Sequence, residues 1–362
     1  MRHVKTVVCV LGIFVLTGYQ ASPCTTFVMQ GGSRIYFGRN LDWDWEDGLI
    51  VLNQRNVSKT AFVMPNRTPV KWTSRYGSVT FNQFGQEMPF GGMNEAGLVV
   101  ENMMLDESQY PAADSRPEIG RLQWIQYQLD NCSTVAEVIA SDEKIRQEQP
   151  LTPGRIHYLV CDATGDCATI EWLGGKMVCH RGADLPFRAL ANSTYAESVS
   201  FTRTNAPPAG PAARSNDARS LSRFACAASR AAAFKPGEPE ADVAYAFETL
   251  EQVRQGNYTV WQMVYDIPGR KIHYRTRSNA RQQTLELKNL DFACARPAKF
   301  ADLRARTSTG GALEFNELSE AQHRKYLQTF MRQESVRKGF GDLGMLIEPL
   351  LLTLRGYSCA GK

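Results

Sequence analysis

The chain has 362 residues, with 41 Lys and Arg against 37 Asp and Glu, for a formal net charge of +4. That balance gives no footing for nucleic-acid binding, which needs concentrated Lys and Arg to displace counterions. A hydrophobic content of 43% supports a real core, in one large domain or two smaller ones.

The first 23 residues read as a secretory signal peptide. Arg2, His3 and Lys5 precede the apolar run VVCVLGIFVLTGY, and the small residues Ala21 and Ser22 follow. The run is short for a membrane-spanning helix. No later stretch is longer; "GMLIEPLLLTL", from Gly344, reads as a buried helix or strand. Cleavage after Ala21 leaves Ser22 and Pro23 ahead of Cys24, and cleavage after Pro23 makes Cys24 the first residue. Pro23 directly before the cysteine argues against a lipid anchor. The expected organisation is a leader over 1–23 and a single domain over 24–362, in the periplasm or secreted, with no membrane attachment once the leader is gone. Arg2 and Lys5 leave with it, taking the net charge from +4 to +2.

"CTTFVMQGGSRIYFGRNLDW", from Cys24, alternates with period two around Gly31-Gly32 and predicts a hairpin. "EDGLIVLNQRNVSKTAFV" continues extended. "GSVTFNQFGQEMPFGGMNEAGLVVENMML" predicts two strands around a Gly-rich turn. The period then changes: Leu122, Ile125, Leu129, Val135 and Ile139 predict two helices, the second capped by Asn131 or Ser133. "RIHYLVCDATGDCATIEWLGGKMVCHRG" returns to strands with two turns. "LPFRALANSTYAESVSF" reads as strand then loop, and "APPAGPAARSND" as a linker. "ARSLSRFACAASRAAA", "PEADVAYAFETLEQV" and "LSEAQHRKYLQTFMRQES" read as helices, and "TVWQMVYDIPGRKIHYRTRS" as a hairpin. Blocks of strands and helices in this order favour a layered α+β fold.

Of nine cysteines, Cys9 falls in the leader. If Cys24 is free, the other seven cannot all pair. Cys161 and Cys167, across "DATGD", could close a small hairpin; the rest of the pairing is not readable from sequence. No CxxC pair or histidine cluster suggests a metal.

Cys24 at a new N-terminus would combine a thiol with its own α-amine. The two titrate near pH 8.5 and 8, so a neutral amine can accept the thiol proton, a recognised way to activate a nucleophile. A peptide bond to Pro23 would convert that amine into an amide with no basicity. Arg39 and Asp42 follow in "YFGRNLDW". A guanidinium favours thiolate, and a carboxylate could orient the amine. Three positions apart, the two residues need a bend after Asn40 to converge on Cys24. From these residues alone, a buried or disulfide-bonded Cys24 and a surface Arg39–Asp42 ion pair stand as alternatives.

The joint order of "CTTF" with "YFGRNLDW", "GMNEAGL" (92–98), "LANSTY" (190–195) and "SLSRFACAA" (220–228) resembles the choloylglycine hydrolase family, which includes bile salt hydrolases and penicillin V acylases. The resemblance spans roughly 24 to 280. It implies a four-layer αββα sandwich of the N-terminal-nucleophile hydrolase type and hydrolysis of a linear amide without cofactor or metal. It makes Cys24 the nucleophile, Arg39 and Asp42 its partners, Asn192 the side-chain donor to the oxyanion and Arg223 a second site arginine. It puts Asn94 in the neighbourhood of the site. "VVENMML" departs from the bile-salt-hydrolase form and leaves the second donor open near Asn102. The full leader is similar to the exported Gram-negative branch.

The implied partner is a small N-acyl amide; a homo-oligomer is compatible with it. A conjugated bile salt is the first expectation, because Arg223 could hold an anionic leaving portion, with penicillin V and N-acyl homoserine lactones as alternatives. Phe27, Trp43 and Trp45 are the candidate acyl-pocket aromatics. An inactive binding protein on the same scaffold is countered by the intact set Cys24, Arg39, Asp42, Asn192 and Arg223. A papain-like protease would need His157 or His180, both in expected strands.

Overall fold

The computed structural model describes residues 24–149, 154–205, 220–294, 298–305 and 313–361. The leader and the "APPAGPAARSND" linker lie outside them. The chain opens on a hairpin of β1 (Thr25–Gly31) and β2 (Arg34–Asp42), in the register Thr26 to Arg39 and Phe27 to Gly38. Gly32, at φ +57°, supplies the left-handed turn residue. A side chain at Gly38 would run into the Phe27 ring, so this glycine lets the ring lie flat across the hairpin.

Two antiparallel sheets carry the fold among the described residues. The first runs in the order Ala189–Leu190, β1, β2, Thr259–Asp266, Lys271–Thr276, Gln283–Glu286. The second runs Lys176–Arg181, Cys167–Leu173, Ile156–Cys161, Val99–Met104, Pro89–Asn94, Ser78–Asn82, Leu49–Asn53, Lys299–Asp302, Asn316–Glu317. Most central strands are buried along their whole length, because each sheet packs on the other and is covered outside by helices. An antiparallel sheet with one solvated face would alternate instead. Helices Ser220–Ala232 and Pro239–Gln252 cover β1 and β2, and Arg121–Asn131 covers the middle of the second sheet. The edge-on aromatic contact of Phe81 with Tyr265, at 6.4 Å, joins the sheets. The layers are therefore αββα.

Three expectations change. "GSVTFNQFGQEMPFGGMNEAGLVVENMML" forms three strands, not two, since "FGQEM" makes a turn of its own. The segment expected as loop after Ala189–Leu190 is the helix Tyr195–Thr204. Its Ser and Thr content weakens intrinsic propensity, but Thr194 caps it and it packs on Ser220–Ala232. The helix Val135–Ala140 is capped by Thr134, in a reciprocal box with Glu137, not by Asn131 or Ser133.

The C-terminal segment builds a cap from the helices Glu320–Met331, Glu334–Phe340 and Ile347–Arg355. Its apolar faces gather Leu327, Phe330, Val336, Leu343 and Leu350 into a separate cluster against Phe62, Phe84 and Met88. Ser358–Cys359 then pairs with the strand Val57–Thr60, and a disulfide joins Cys359 to Cys294. Cys161 and Cys167 form a second disulfide, whereas Cys24, Cys132, Cys179 and Cys226 are free thiols.

Candidate active site

Cys24 immediately precedes β1 and is 3% exposed. Strand alternation puts its side chain on the face shared with Thr26 and Arg39, between the two sheets. Arg39 Nη2 donates to Cys24 Sγ at 3.7 Å and to the Asn102 carbonyl at 3.0 Å, while Nη1 pairs with Glu101 Oε2 at 2.8 Å. Tyr265 donates its hydroxyl to the other Glu101 oxygen. Gly91 faces Glu101 across the sheet, where any side chain would overlap the carboxylate.

The opposite side of Cys24 is built by the helical layer. From Ser220–Ala232, Arg223 Nη1 donates to the Cys24 carbonyl and to Thr25 Oγ1, each at 2.5 Å, and Nη2 to Asn192 Oδ1 at 2.9 Å. Asn192 Oδ1 also accepts the Cys24 backbone N–H at 2.8 Å, and its Nδ2 donates to the Met104 carbonyl at 2.9 Å. Asp42 accepts from Thr259 Oγ1, and its backbone N–H acts to lower the Cys24 thiol pKa. No bend after Asn40 is needed. β2 runs unbroken to Asp42, and the register shift lies across from it, between Thr259 and Trp261. Arg39 and Asp42 converge because Cys24 sits at the open end of the hairpin, where groups from both faces can reach it.

Burial raises the Cys24 thiol pKa, against the pull of the Arg39 guanidinium. Burial also pushes Asp42 up to about 7, against Arg223 and the Thr259 hydroxyl, and Glu101 up to about 7, against Arg39. Asp42 Oδ2 is buried and has no hydrogen-bond partner among the described residues.

The structure thus gathers Cys24, Arg39, Asp42, Asn192 and Arg223, together with the backbone carbonyl of Asn102. The Asn102 side chain turns away to the Phe90 carbonyl at 2.6 Å. Asn94 is not part of the group. Its amide nitrogen donates to the carbonyls of Leu129 and Cys132, and its oxygen accepts from the Leu98 N–H, which ties a helix end to a turn. His157 has both ring nitrogens engaged, with Glu171 at 2.9 Å and the Ala191 carbonyl at 2.8 Å, so it braces the segment that carries Asn192. His180 stacks on Tyr195 at 4.8 Å. Neither histidine partners the thiol. Glu101 and Thr259 were missed in the sequence, because nothing local marks a strand residue whose partners are distant in sequence: Glu101 meets Arg39 and Tyr265 from the other sheet, and Thr259 meets Asp42 on the neighbouring strand.

A cavity of about 190 Å³ opens beside Cys24. Its wall is mostly apolar, with Trp43, Phe84, Phe90, Met104 and Ile156 from the sandwich and further residues from the cap; Arg121 and Glu148 also line it. Of the expected aromatics only Trp43 lines it. Phe27 lies buried against Gly38, and Trp45 packs between the core and the cap. Arg223 does not line the cavity, since its guanidinium is turned to Cys24, Thr25 and Asn192.

A sandwich of this kind, with a cysteine before its first strand, defines the class of N-terminal-nucleophile hydrolases. Residues 24–230 match the family described as linear amide C–N hydrolases, choloylglycine hydrolase family, and the chain belongs to it. It is 30% identical, over 213 aligned residues, to a penicillin V acylase of Pectobacterium atrosepticum; the match covers 53% of this chain and 55% of that relative, so it spans about half of the relative's length. The structure is similar to that of a penicillin V acylase from Agrobacterium tumefaciens, with a TM-score of 0.66 and 27% identity over 78% of this chain and 92% of the other. A single-substitution variant of a conjugated bile acid hydrolase from Clostridium perfringens shares the fold, with a TM-score of 0.63 and 16% identity over 82% and 100% of the two chains.

Proposed function

We propose that the protein is exported, matures to a chain starting at Cys24, and hydrolyses the amide between a compact apolar acyl group and a small polar amine. The observation that carries this reading is the thiol of Cys24, held by Arg39 at the mouth of an apolar cavity. Maturation at Cys24 is supported by Asp42 Oδ2. A buried carboxylate oxygen left unpaired costs about 1–3 kcal/mol, and a protonated α-amine on Cys24 would relieve that cost.

In this reaction the neutral α-amine takes the thiol proton and the thiolate attacks the amide carbonyl. Asn192 Nδ2 and a backbone N–H hold the oxyanion. The ammonium returns its proton to the leaving nitrogen, leaving an acyl thioester. The amine then activates water, which releases the acid and restores the thiol.

Two observations favour a slender acyl group over a steroid. The cavity, at about 190 Å³, is below the roughly 300–1,000 Å³ of sites that bury drug-sized ligands. Arg223, the group that would favour glycine or taurine conjugates, is committed to Asn192 and the Cys24 carbonyl. Phenoxyacetyl and alkyl amides, as in penicillin V and N-acyl homoserine lactones, therefore come ahead of conjugated bile salts. Comparing kcat/KM for penicillin V, hexanoyl to dodecanoyl homoserine lactones, glycocholate and taurocholate tests the order. A preference for either bile salt would reverse it. Intact mass of the exported protein tests maturation, and an active chain retaining Ser22 or Pro23 would remove the free amine from the mechanism.

A further inference from the structure

Resting on the reading of Cys24 as the acyl acceptor, we propose that the C-terminal cap is the acyl-length gauge of the site. Leu346 and Leu350 act as its specificity-determining residues. The substrate class is then an amide of a straight, unbranched acyl chain whose far end meets the cap.

Four observations support this. Met331, Phe340, Leu343, Leu346 and Leu350 line the same cavity as Cys24, although they follow it by more than 300 positions. All five lie beyond residues 24–230, over which the chain matches its family. Trp43, next to Asp42 in sequence, has its ring 6.0 Å from that of Phe340, so the cap wall and the thiol end of the cavity meet directly. The cap is also held firmly in place. The Cys294–Cys359 disulfide and the pairing of Ser358–Cys359 with Val57–Thr60 anchor one end. Tyr326 donates to the Asn82 carbonyl at 3.3 Å, and His323 Nε2 accepts the Gln86 N–H at 3.0 Å. A wall fixed in this way measures length, because a chain one carbon too long cannot push it aside.

The polar residues of the cap are not placed to select an acyl group. Glu320, Arg324 and Arg355 pair with one another on the outer surface. What the cap offers the cavity is hydrocarbon, which discriminates by size. One methylene of misfit in such a pocket changes preference roughly 10- to 200-fold.

The test uses the full-length exported protein with Cys24→Ala, so that binding is read without turnover. Affinities for straight-chain carboxylic acids of six to fourteen carbons are measured by calorimetry, alone and with each of three further changes. Leu350→Ala should move the tightest-binding acid to a longer chain. Leu346→Phe, at a half-buried position on the cavity wall, should move it to a shorter one. Each should change the ratio of long- to short-chain affinity at least tenfold. Leu352→Ala lies on the same helix but is 65% exposed, and should leave the ratio unchanged. An identical optimum in the Leu350 and Leu346 variants, or no acid bound by the parent, would overturn the inference. Amide hydrolysis by the protein with Cys24 intact, followed separately, decides the proposed reaction. A shifted binding optimum without hydrolysis would leave the gauge standing and remove the chemistry.

Discussion

The two walls around Cys24 are held by opposite means. On the catalytic side Arg39, Asp42, Glu101 and Arg223 are at most 4% exposed, and each is held by partners from another element. On the cap side the charges sit outside and the inner face is apolar. Buried charges depend on each other, so removing one strands the next and costs several kcal/mol. Exposed ion pairs contribute little, with a median of about 0–1 kcal/mol. The wall around the thiol is thus a network that tolerates little change, while the cap wall rests on packing that can vary a methyl group at a time.

The sharpest way to break this contrast is the nucleophile. Cys24→Ala should reduce amide hydrolysis by on the order of 10⁶-fold, the scale seen when a covalent nucleophile is removed, with a circular-dichroism melt close to the parent's. Residual turnover within tenfold of the parent would move the chemistry elsewhere. On the cap side, replacing both Cys294 and Cys359 by serine opens a loop with a sequence separation of 65. It should cost about 4 kcal/mol on the chain-entropy model. The cost should appear as early proteolysis within 313–361, while alkylation of Cys24 by iodoacetamide keeps its rate. Coincident loss of both would mean that the cap and the catalytic wall are one unit.

Asn192→Ala should lower kcat by roughly 10²–10³-fold, or about 3 kcal/mol, with KM little changed, because the oxyanion exists only along the reaction path. A rise in KM alone would make Asn192 a substrate-binding group.

The smallest effect separates the walls by pH. Burial holds Glu101 at about 7 instead of 4.5 and Asp42 at about 7 instead of 3.8. Between those values the folded protein keeps protons that the unfolded chain has released, so these groups make stability fall as pH rises from about 4 to about 7. Glu101→Gln removes one such group, and the slope of Tm against pH in that window should become less negative. Glu320 on the cap is lowered to about 2 by Arg355 and Arg324. Its contribution is present above the ordinary carboxylate range and lost only in more acid solution, so Glu320→Gln should leave the slope in the 4–7 window alone. Equal slopes for the parent and Glu101→Gln would mean that Glu101 is ionised throughout the window.

The hairpin, the strand blocks and most helices were legible because period-two and period-3.6 patterns are local. Cys24, Arg39 and Asp42 were legible because one hairpin carries all three within 19 positions. Asn192 and Arg223 came from the resemblance, since nothing in "LANSTY" or "SLSRFACAA" predicts that a loop and a helix will meet at one thiol. Glu101 and Thr259 were out of reach for the same reason. A side chain's partner across a sheet or between sheets is set by register and layer packing, which no local pattern encodes. The helix Tyr195–Thr204 was lost to its Ser and Thr content, and its cap and neighbouring helix overrode that weakness.

By itself, the sequence determined the chemistry on offer: a cysteine at the head of a hairpin whose return strand brings an arginine and an aspartate back to it. Only the tertiary structure decided what that chemistry faces. Phe27 went to the core, and Arg223 turned to Asn192 and the backbone. Part of the cavity wall beside Cys24 came from residues more than 300 positions away. The reason is physical: strand alternation and turn geometry act over a few residues, whereas a cavity is the space left when distant apolar faces find each other, and its size belongs to none of them alone.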